Sequence, residues 1–424
     1  MTEVSPIWYP FTQHGLNEAV PRIVSASGAW LTCADGTRLL DCIASWWVIT
    51  HGHCEPRIAA AVAAQASVLD QIIFAGYSHP QADAVAQALV DIAPEGLSRV
   101  FFSDSGSTAV EVGLKMALGY WHNRGEARHR ILVLEHSYHG DTIGAMSVGE
   151  RGVFNAPYAP LLFDVATVPF PAAGAEQVSL DRLEALCAAP ETPAAFIVEP
   201  LVLGSGGMLI YPPHVLRAMH EICARHGVLF IADEVMTGWG RTGTLFACEQ
   251  AGIAPDLLCL AKGLTGGLVP LAATLATTEI FEAHRSTDRA RMFFHSSSFT
   301  ANPICCAAAN ANLAIWREED VLGRVAALGA ALDRGLAALA TDPALRNPRR
   351  IGGIGAIDLE VKDAGYLSDV APILRARALE KGLLLRPLGN TIYLMPPYCT
   401  TDDEVAAAFD TIGALIEPLA RGAG

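Results

Sequence analysis

The sequence predicts an α/β protein, with a large domain whose mostly parallel sheet is flanked by helices and a smaller α/β domain beside it. Three observations carry that expectation. From about residue 85 to 275, short apolar runs alternate with longer amphipathic stretches. Strands buried on both faces and separated by helices imply parallel pairing. Past residue 305 the chain turns Ala-rich and helical before shorter apolar runs return. With 424 residues, 51% of them hydrophobic and 17% charged, the chain is long enough for two domains around a large core.

The elements follow in order. "AWLTCADGTRLLDCI" (29–43) reads as a hairpin turning at Asp35-Gly36. "RVFF" (99–102) precedes a stretch in which Val110, Leu114, Ala117 and Tyr120 or Trp121 recur at helical spacing. "RILVLE" (130–135), "AAFIVEP" (194–200), "GVLFIADE" (227–234) and "DLLCLA" (256–261) read as buried strands, with helical stretches such as "PPHVLRAMHEICARH" (212–226) between them. A long helical stretch with one break follows at 305–339, then "IGGIGAIDLEV", "GLLLRPLGNTIYLMPP" and a last helix from Asp402. Residues 50–315 are expected to form the large domain, and 1–49 with 316–424 the small one.

A formal charge of -15, from 44 acids against 29 bases, argues against a nucleic-acid or anionic-membrane partner. No apolar stretch approaches the roughly 20 residues of a membrane helix. The start lacks the order of a signal peptide. Ten scattered cysteines without a C-x-x-C suit reduced thiols and a cytoplasmic protein. "HGHC" (51–54) and "HSYH" (136–139) have no partner at structural-zinc spacing, so no metal is expected.

In parallel sheets ligands bind beyond the carboxyl ends of the strands, so the polar residues ending these runs matter most. Ser105, Gly106 and Ser107 stand at a helix start, where free N–H groups make either a phosphate cradle or an ordinary N-cap. Tyr138 and His139 lie in a loop after a strand, as a ring covering a flat cofactor or as a surface turn. Asp233 follows an apolar run, and a buried carboxylate needs a cation or strong donors. An ATPase would need G-x-x-x-x-G-K-[ST], which is absent. "GWGRTG" (238–243) matches G-x-G-x-x-G, but its glycines start past the strand and open no helix, so an NAD-dependent dehydrogenase fits poorly. Lys262 at the end of "LLCLAK" either snorkels into solvent or forms a Schiff base. Together these ends describe a pyridoxal phosphate site. The lysine condenses with the aldehyde, Asp233 keeps the pyridine nitrogen protonated, and the helix start takes the phosphate.

The stretch from Leu229 to Gly267 resembles the signature of class III (omega-type) pyridoxal phosphate aminotransferases of fold type I, and the likeness covers nearly the whole chain. "WYPFTQ", "ASWWVITHGH", "FFSDSGSTAVEVGLKMALGYW", "YHGDTIGAMSV" and "IYLMPPY" resemble the branch that passes an amine from S-adenosylmethionine to 8-amino-7-oxononanoate in biotin synthesis. The resemblance implies a ping-pong reaction in a homodimer with shared active sites. Gly106 and Ser107 would bind the cofactor phosphate, Tyr138 would lie over the ring and substrate, Asp233 would pair with the ring nitrogen, and Lys262 would be the anchor. Arg386 would take the substrate carboxylate, with Trp46 and Trp47 lining the channel. Core packing for the tryptophans and an inter-domain salt bridge for Arg386 are the plainer alternatives. "HSSSF" (295–299) would reach the partner subunit's site, with Ser298 and Ser297 at the phosphate and Ser296 toward the substrate.

The chain departs from the family at four places. Phe11 replaces a tyrosine that binds substrate, the serine run replaces glycine-proline-threonine, and Leu203 stands where glutamine is frequent. Gly204 stands where ornithine and aminobutyrate enzymes carry glutamate, which argues against those activities. Tyr393 and the paired tryptophans favour adenosylmethionine over a lysine-using variant of the enzyme. A broad omega-aminotransferase, passing amines from diamines to pyruvate, is the other reading within the class.

Overall fold

The computed structural model describes residues 5–362 and 364–421. Seven runs make the central sheet: β1 (Leu97–Ser103), β2 (Ile131–Leu134), β3 (Val165–Val168), β4 (Ala195–Val198), β5 (Leu229–Asp233), β6 (Leu257–Leu260) and β7 (Ala272–Thr277). Their order is β1-β7-β6-β5-β4-β2-β3. The pairs from β6 to β3 are parallel. β7 instead runs antiparallel to both β6 and β1.

β7 escaped the sequence reading because "AATLAT" holds one large side chain, yet its first five residues are buried. The small residues serve the helix above them. Helix α1 (Gly106–Asn123) lies close enough for Thr274 Oγ1 to donate to Ala109 O at 2.8 Å. A Cβ on Gly113 of that helix would stand 3.2 Å from Cys259 Sγ. Bulkier residues at this seam would lift α1, and with it the helix start that borders the site.

The hairpin forms as expected, pairing Trp30–Cys33 with Arg38–Asp41. Leu383–Leu384 joins it in parallel, bringing the C-terminal part of the chain against the N-terminal part. A three-stranded antiparallel sheet is built from Leu345–Ile351, Ile354–Leu359 and Thr391–Leu394. Helices α2 (Pro303–Glu318), α3 (Val321–Leu339) and α4 (Asp402–Arg421) complete this region. The break between α2 and α3 is a cap: Asp320 Oδ1 accepts from Gly323 N–H at 2.8 Å.

One buried cluster is drawn from residues between Ala82 and Leu313, on the helix-covered sheet. Another joins Ala29, Leu40 and Cys42 to α3, α4 and the three-stranded sheet. On these clusters we propose the division at residues 49/50 and 315/316. Ile58 and Ala308 also pack in the second cluster, so the seam is buried, not a linker.

Candidate active site

A cavity of about 450 Å³ opens at the carboxyl ends of the central strands. Its walls include Asp104 after β1, Tyr138 after β2, Glu199 after β4, Asp233 at the end of β5 and Lys262 after β6. The start of α1 adds Ser105, Gly106 and Ser107, and the small-domain side adds Phe11, Trp46, Trp47, Arg386 and Tyr393.

Helix α1 begins with a capping box in which Ser105 and Thr108 satisfy each other's backbone N–H groups. The cap and the cradle are therefore the same structure. The N–H groups of Gly106 and Ser107 have no carbonyl one turn back, and they border the cavity. A Cβ on Gly106 would meet Val235 Cγ1 at 2.6 Å, so only glycine lets the helix start sit against the loop after Asp233. An anion at this point would meet backbone donors and the positive end of the helix.

Asp233 is buried at the cavity floor. Its Oδ2 lies 2.7 Å from His139 Nδ1, and its Oδ1 accepts from Val235 N–H at 3.1 Å. The sequence pairs this carboxylate with the cofactor's pyridine nitrogen; it does not reveal the second partner, His139, which sits next to Tyr138. Glu199 was also missed, although it ends an apolar run just as Asp233 does. Burial, with the Asp233 charge adding, pushes its carboxyl up to about 7. Its oxygens accept from the backbone N–H groups of Tyr138 and Gly204, both at 3.0 Å, and so tie two cavity loops together. Burial, and then Asp141, push the Tyr138 phenol well above its usual range, so it stays a neutral donor.

Lys262 leaves β6 in a left-handed conformation (φ 45°) and opens a tight turn. The turn is held from α2, where buried Asn312 donates to Gly263 O at 3.0 Å and Leu264 O at 2.9 Å. The amine lies 4.7 Å from the Trp47 ring. Burial draws its pKa down to about 8, against the opposing pull of Asp233 and Glu199. The neutral, nucleophilic form therefore dominates above about pH 8, where an ordinary lysine is still charged. We expect capture of pyridoxal phosphate by the cofactor-free protein to accelerate with pH, with a midpoint near 8. Stopped-flow absorbance checks this, and a midpoint near 10 would contradict it.

Arg386 has no carboxylate partner among the described residues. Its Nη2 donates to Phe11 O at 3.2 Å, and its guanidinium lies 4.8 Å from the Trp46 ring. The inter-domain salt bridge is therefore not formed. Trp46 is 40% exposed, while Trp47 is both core and cavity wall, donating through Nε1 to Tyr393 Oη at 2.9 Å. Phe154 and Tyr366, absent from the sequence reading, extend the aromatic lining: Phe154 lies 6.1 Å from Phe11 and 4.3 Å from Tyr366, centroid to centroid. A Cβ on Gly204 would come within 3.1 Å of the Trp47 ring and 2.9 Å of Met236 Cε. A glutamate there would have to displace that tryptophan.

Ser296, Ser297 and Ser298 do not line the cavity. Ser296 and Ser298 are exposed and Ser297 half-buried, in a segment whose Thr300 Oγ1 bonds both the N–H and the carbonyl of Ser297. Arg241 of "GWGRTG" is buried and donates to Pro396 O, Trp47 O and Ile49 O, which explains a basic residue in that motif. The histidines of the two metal-like clusters have other partners: His51 bonds Asn312, His53 bonds Asp41 and His136 bonds Glu150.

The residues present fit pyridoxal phosphate. A depressed-pKa lysine, a buried carboxylate and a helix start with free donors border one cavity, and Gly106 lets that helix start sit against the loop after Asp233. Comparison with known proteins agrees. Residues 13–416 match the family described as Aminotransferase class-III. An adenosylmethionine-8-amino-7-oxononanoate aminotransferase of Synechococcus elongatus is 48% identical over 97% of this chain and 99% of its own. Its namesake from Mycobacterium leprae is 39% identical over 95% and 93%. The crystal structure of the Methanocaldococcus jannaschii enzyme of that name superposes with a TM-score of 0.93 at 33% identity, covering 97% of both chains. A PLP-bound amine transaminase from an uncultivated Pseudomonas species gives the same TM-score and identity, over 99% of this chain and 100% of its own. The chain belongs to the class-III aminotransferases and is a pyridoxal-phosphate-dependent transaminase of fold type I.

Proposed function

We propose that the chain transfers the amino group of S-adenosylmethionine to 8-amino-7-oxononanoate, giving 7,8-diaminononanoate for biotin synthesis. The observation that carries this reading is a guanidinium with no carboxylate partner among the described residues, Arg386, set among Phe11, Trp46 and Tyr393 on the wall of the cavity that Lys262 borders. Both substrates carry a carboxylate, and a planar guanidinium can bind either through two parallel hydrogen bonds. Aromatic faces pack an aliphatic chain and also attract a sulfonium. The relatives in Synechococcus and Mycobacterium bear the name of this reaction.

In this mechanism Gly106 and Ser107 would hold the cofactor phosphate, Asp233 would pair with the ring nitrogen, Lys262 would anchor the aldehyde and Tyr138 would cover the ring. When bound, pyridoxal phosphate supplies the carbonyl that receives the amine and a conjugated ring that accepts the electron pair. Arg386 orients the carboxylate of each substrate in turn. Lys262 Nζ, in its neutral form, would take the proton from the amine-bearing carbon and deliver it to the cofactor carbon that receives the amine. His139 fixes the Asp233 carboxylate, and the aromatic wall keeps water from the reacting carbon.

Replacing Arg386 with alanine should raise KM for both substrates about 10- to 100-fold, the loss of a charge-assisted hydrogen-bonded pair, with a smaller effect on kcat. Steady-state kinetics with each substrate varied checks this. The donor is tested by mixing the holoenzyme with S-adenosylmethionine, L-lysine or a diamine alone and following the cofactor absorbance. A change with S-adenosylmethionine supports the proposal. A change only with lysine or amines would overturn the donor and favour the lysine-using or broad amine reading, a reading kept alive by the equal likeness to an amine transaminase.

We further propose a cytoplasmic homodimer with shared active sites. Val68, Ile73, Tyr77, Phe294 and Phe299 are each more than 60% exposed, and two segments among them are tied together where Asn302 Nδ2 donates to Asp70 O at 2.9 Å. Such an apolar patch suits a second copy, whose cofactor phosphate Ser297 and Ser298 would reach, with Ser296 toward the substrate. All ten cysteines are free, and no helix among the described residues is long and apolar enough to cross a membrane.

A further inference from the structure

The cavity wall beside Arg386 rests on backbone that L-residues seldom adopt. Ala44, Ser45, Trp46 and Trp47 take φ of 49°, 45°, 74° and 72° in succession, with no glycine among them. They close a left-handed helical turn, in which Trp47 N–H donates to Ile43 O at 2.8 Å and Val48 N–H to Ala44 O at 2.9 Å. Left-handed residues normally occur singly, so contacts from outside the turn must hold a run of four.

Two anchors are present. At the entry, Asp41 is fully buried. Its Oδ1 accepts from Ile43 N–H at 3.1 Å, and its Oδ2 accepts from Ser45 Oγ at 2.8 Å and faces His53 Nε2 at 2.8 Å. His53 is held in turn by paired backbone hydrogen bonds with Gly28, at 2.7 and 3.3 Å. At the exit, Arg241 Nη2 donates to Trp47 O at 3.3 Å and Ile49 O at 2.8 Å. The turn therefore sets where two rings stand: Trp46 under the Arg386 guanidinium, and Trp47 beside Lys262 Nζ and against Tyr393.

We propose that Asp41, with Ser45 and His53, is a positioning cluster that holds this turn and so sets how tightly carboxylate-bearing substrates bind. None of the three lines the cavity, so none is a catalytic residue. The inference rests on the reading of Arg386 as the carboxylate site. The oxygens of Asp41 are divided among the N–H of Ile43, the hydroxyl of Ser45 and the imidazole of His53, so one carboxylate ties the turn to the strand Arg38–Asp41 and, through His53, to the backbone at Gly28.

The test compares holoenzymes carrying Ser45→Ala, Ser45→Gly and Asp41→Ala by steady-state kinetics. Alanine removes the hydroxyl and keeps the strain, whereas glycine removes both. We expect Ser45→Ala to raise KM for both substrates about tenfold with kcat within threefold, and Ser45→Gly to recover KM to within about threefold of the parent. Asp41→Ala should raise KM at least as much as Ser45→Ala. Equal KM values for the two Ser45 variants would overturn the proposal, as would a loss confined to kcat. Asp41→Ala is read where it retains the cofactor band; the Ser45 pair decides the matter without it. If the parent accepts some other amine in place of S-adenosylmethionine, the proposed function falls, and the same Ser45 comparison on that amine still tests the cluster.

Discussion

Lys262→Ala should abolish transamination, lowering kcat by at least about 10⁴-fold, because in the proposed mechanism one amine serves as both covalent anchor and proton carrier. Among the described residues no other lysine lines the cavity, so no neighbouring amine stands ready to take over. The fold should survive. The turn after β6 is held by Asn312 through the carbonyls of Gly263 and Leu264, not through the lysine side chain. Alanine also removes a buried amine whose charge the surroundings disfavour. Circular dichroism and gel filtration should therefore match the parent, while the absorbance of lysine-bound cofactor disappears. Adding a small primary amine should restore part of the activity by supplying the missing proton carrier. Near-parental turnover in this variant would remove Lys262 from the reaction.

The parts of the site that the sequence made legible are those where a polar residue interrupts an apolar pattern. Asp233 and Lys262 stand out because four or more buried residues precede each. Glu199 obeys the same rule after β4 but was not singled out from the sequence. His139 was visible as a neighbour of Tyr138, but its bond to Asp233 spans 94 positions and joins two strands not adjacent in the sheet. No local pattern encodes such a contact. β7 was hidden for the opposite reason, since close helix packing demanded alanine and threonine where a strand usually advertises itself with larger side chains. The left-handed turn at 44–47 was the least legible feature. Its residues carry no glycine, asparagine or aspartate signal, and the contacts that hold it come from Asp41, His53 and the distant Arg241.

Asp233→Asn should lower kcat by about 10²- to 10³-fold while cofactor is still bound, the range expected when one preorganised charge is removed from a water-poor site. The substitution keeps the volume and leaves an oxygen to accept from Val235 N–H. Its amide nitrogen would face His139 Nδ1, which can then accept a hydrogen bond once the imidazole proton moves to Nε2. Nε2 is buried without a partner, so that tautomer gains no bond there and the cost falls on local stability, not on the cavity's shape. What the variant cannot supply is the negative charge that the proposed mechanism sets opposite the ring nitrogen. The deficit should therefore appear in proton transfer from the substrate carbon, and a deuterium label at that carbon should slow turnover more than in the parent. Substrate KM should stay within a few-fold, because Arg386 and the aromatic wall lie on the small-domain side. A variant with kcat within threefold of the parent would mean that Asp233 serves only to anchor His139, and the charge acting on the ring would have to come from Glu199, the other buried carboxylate of the cavity.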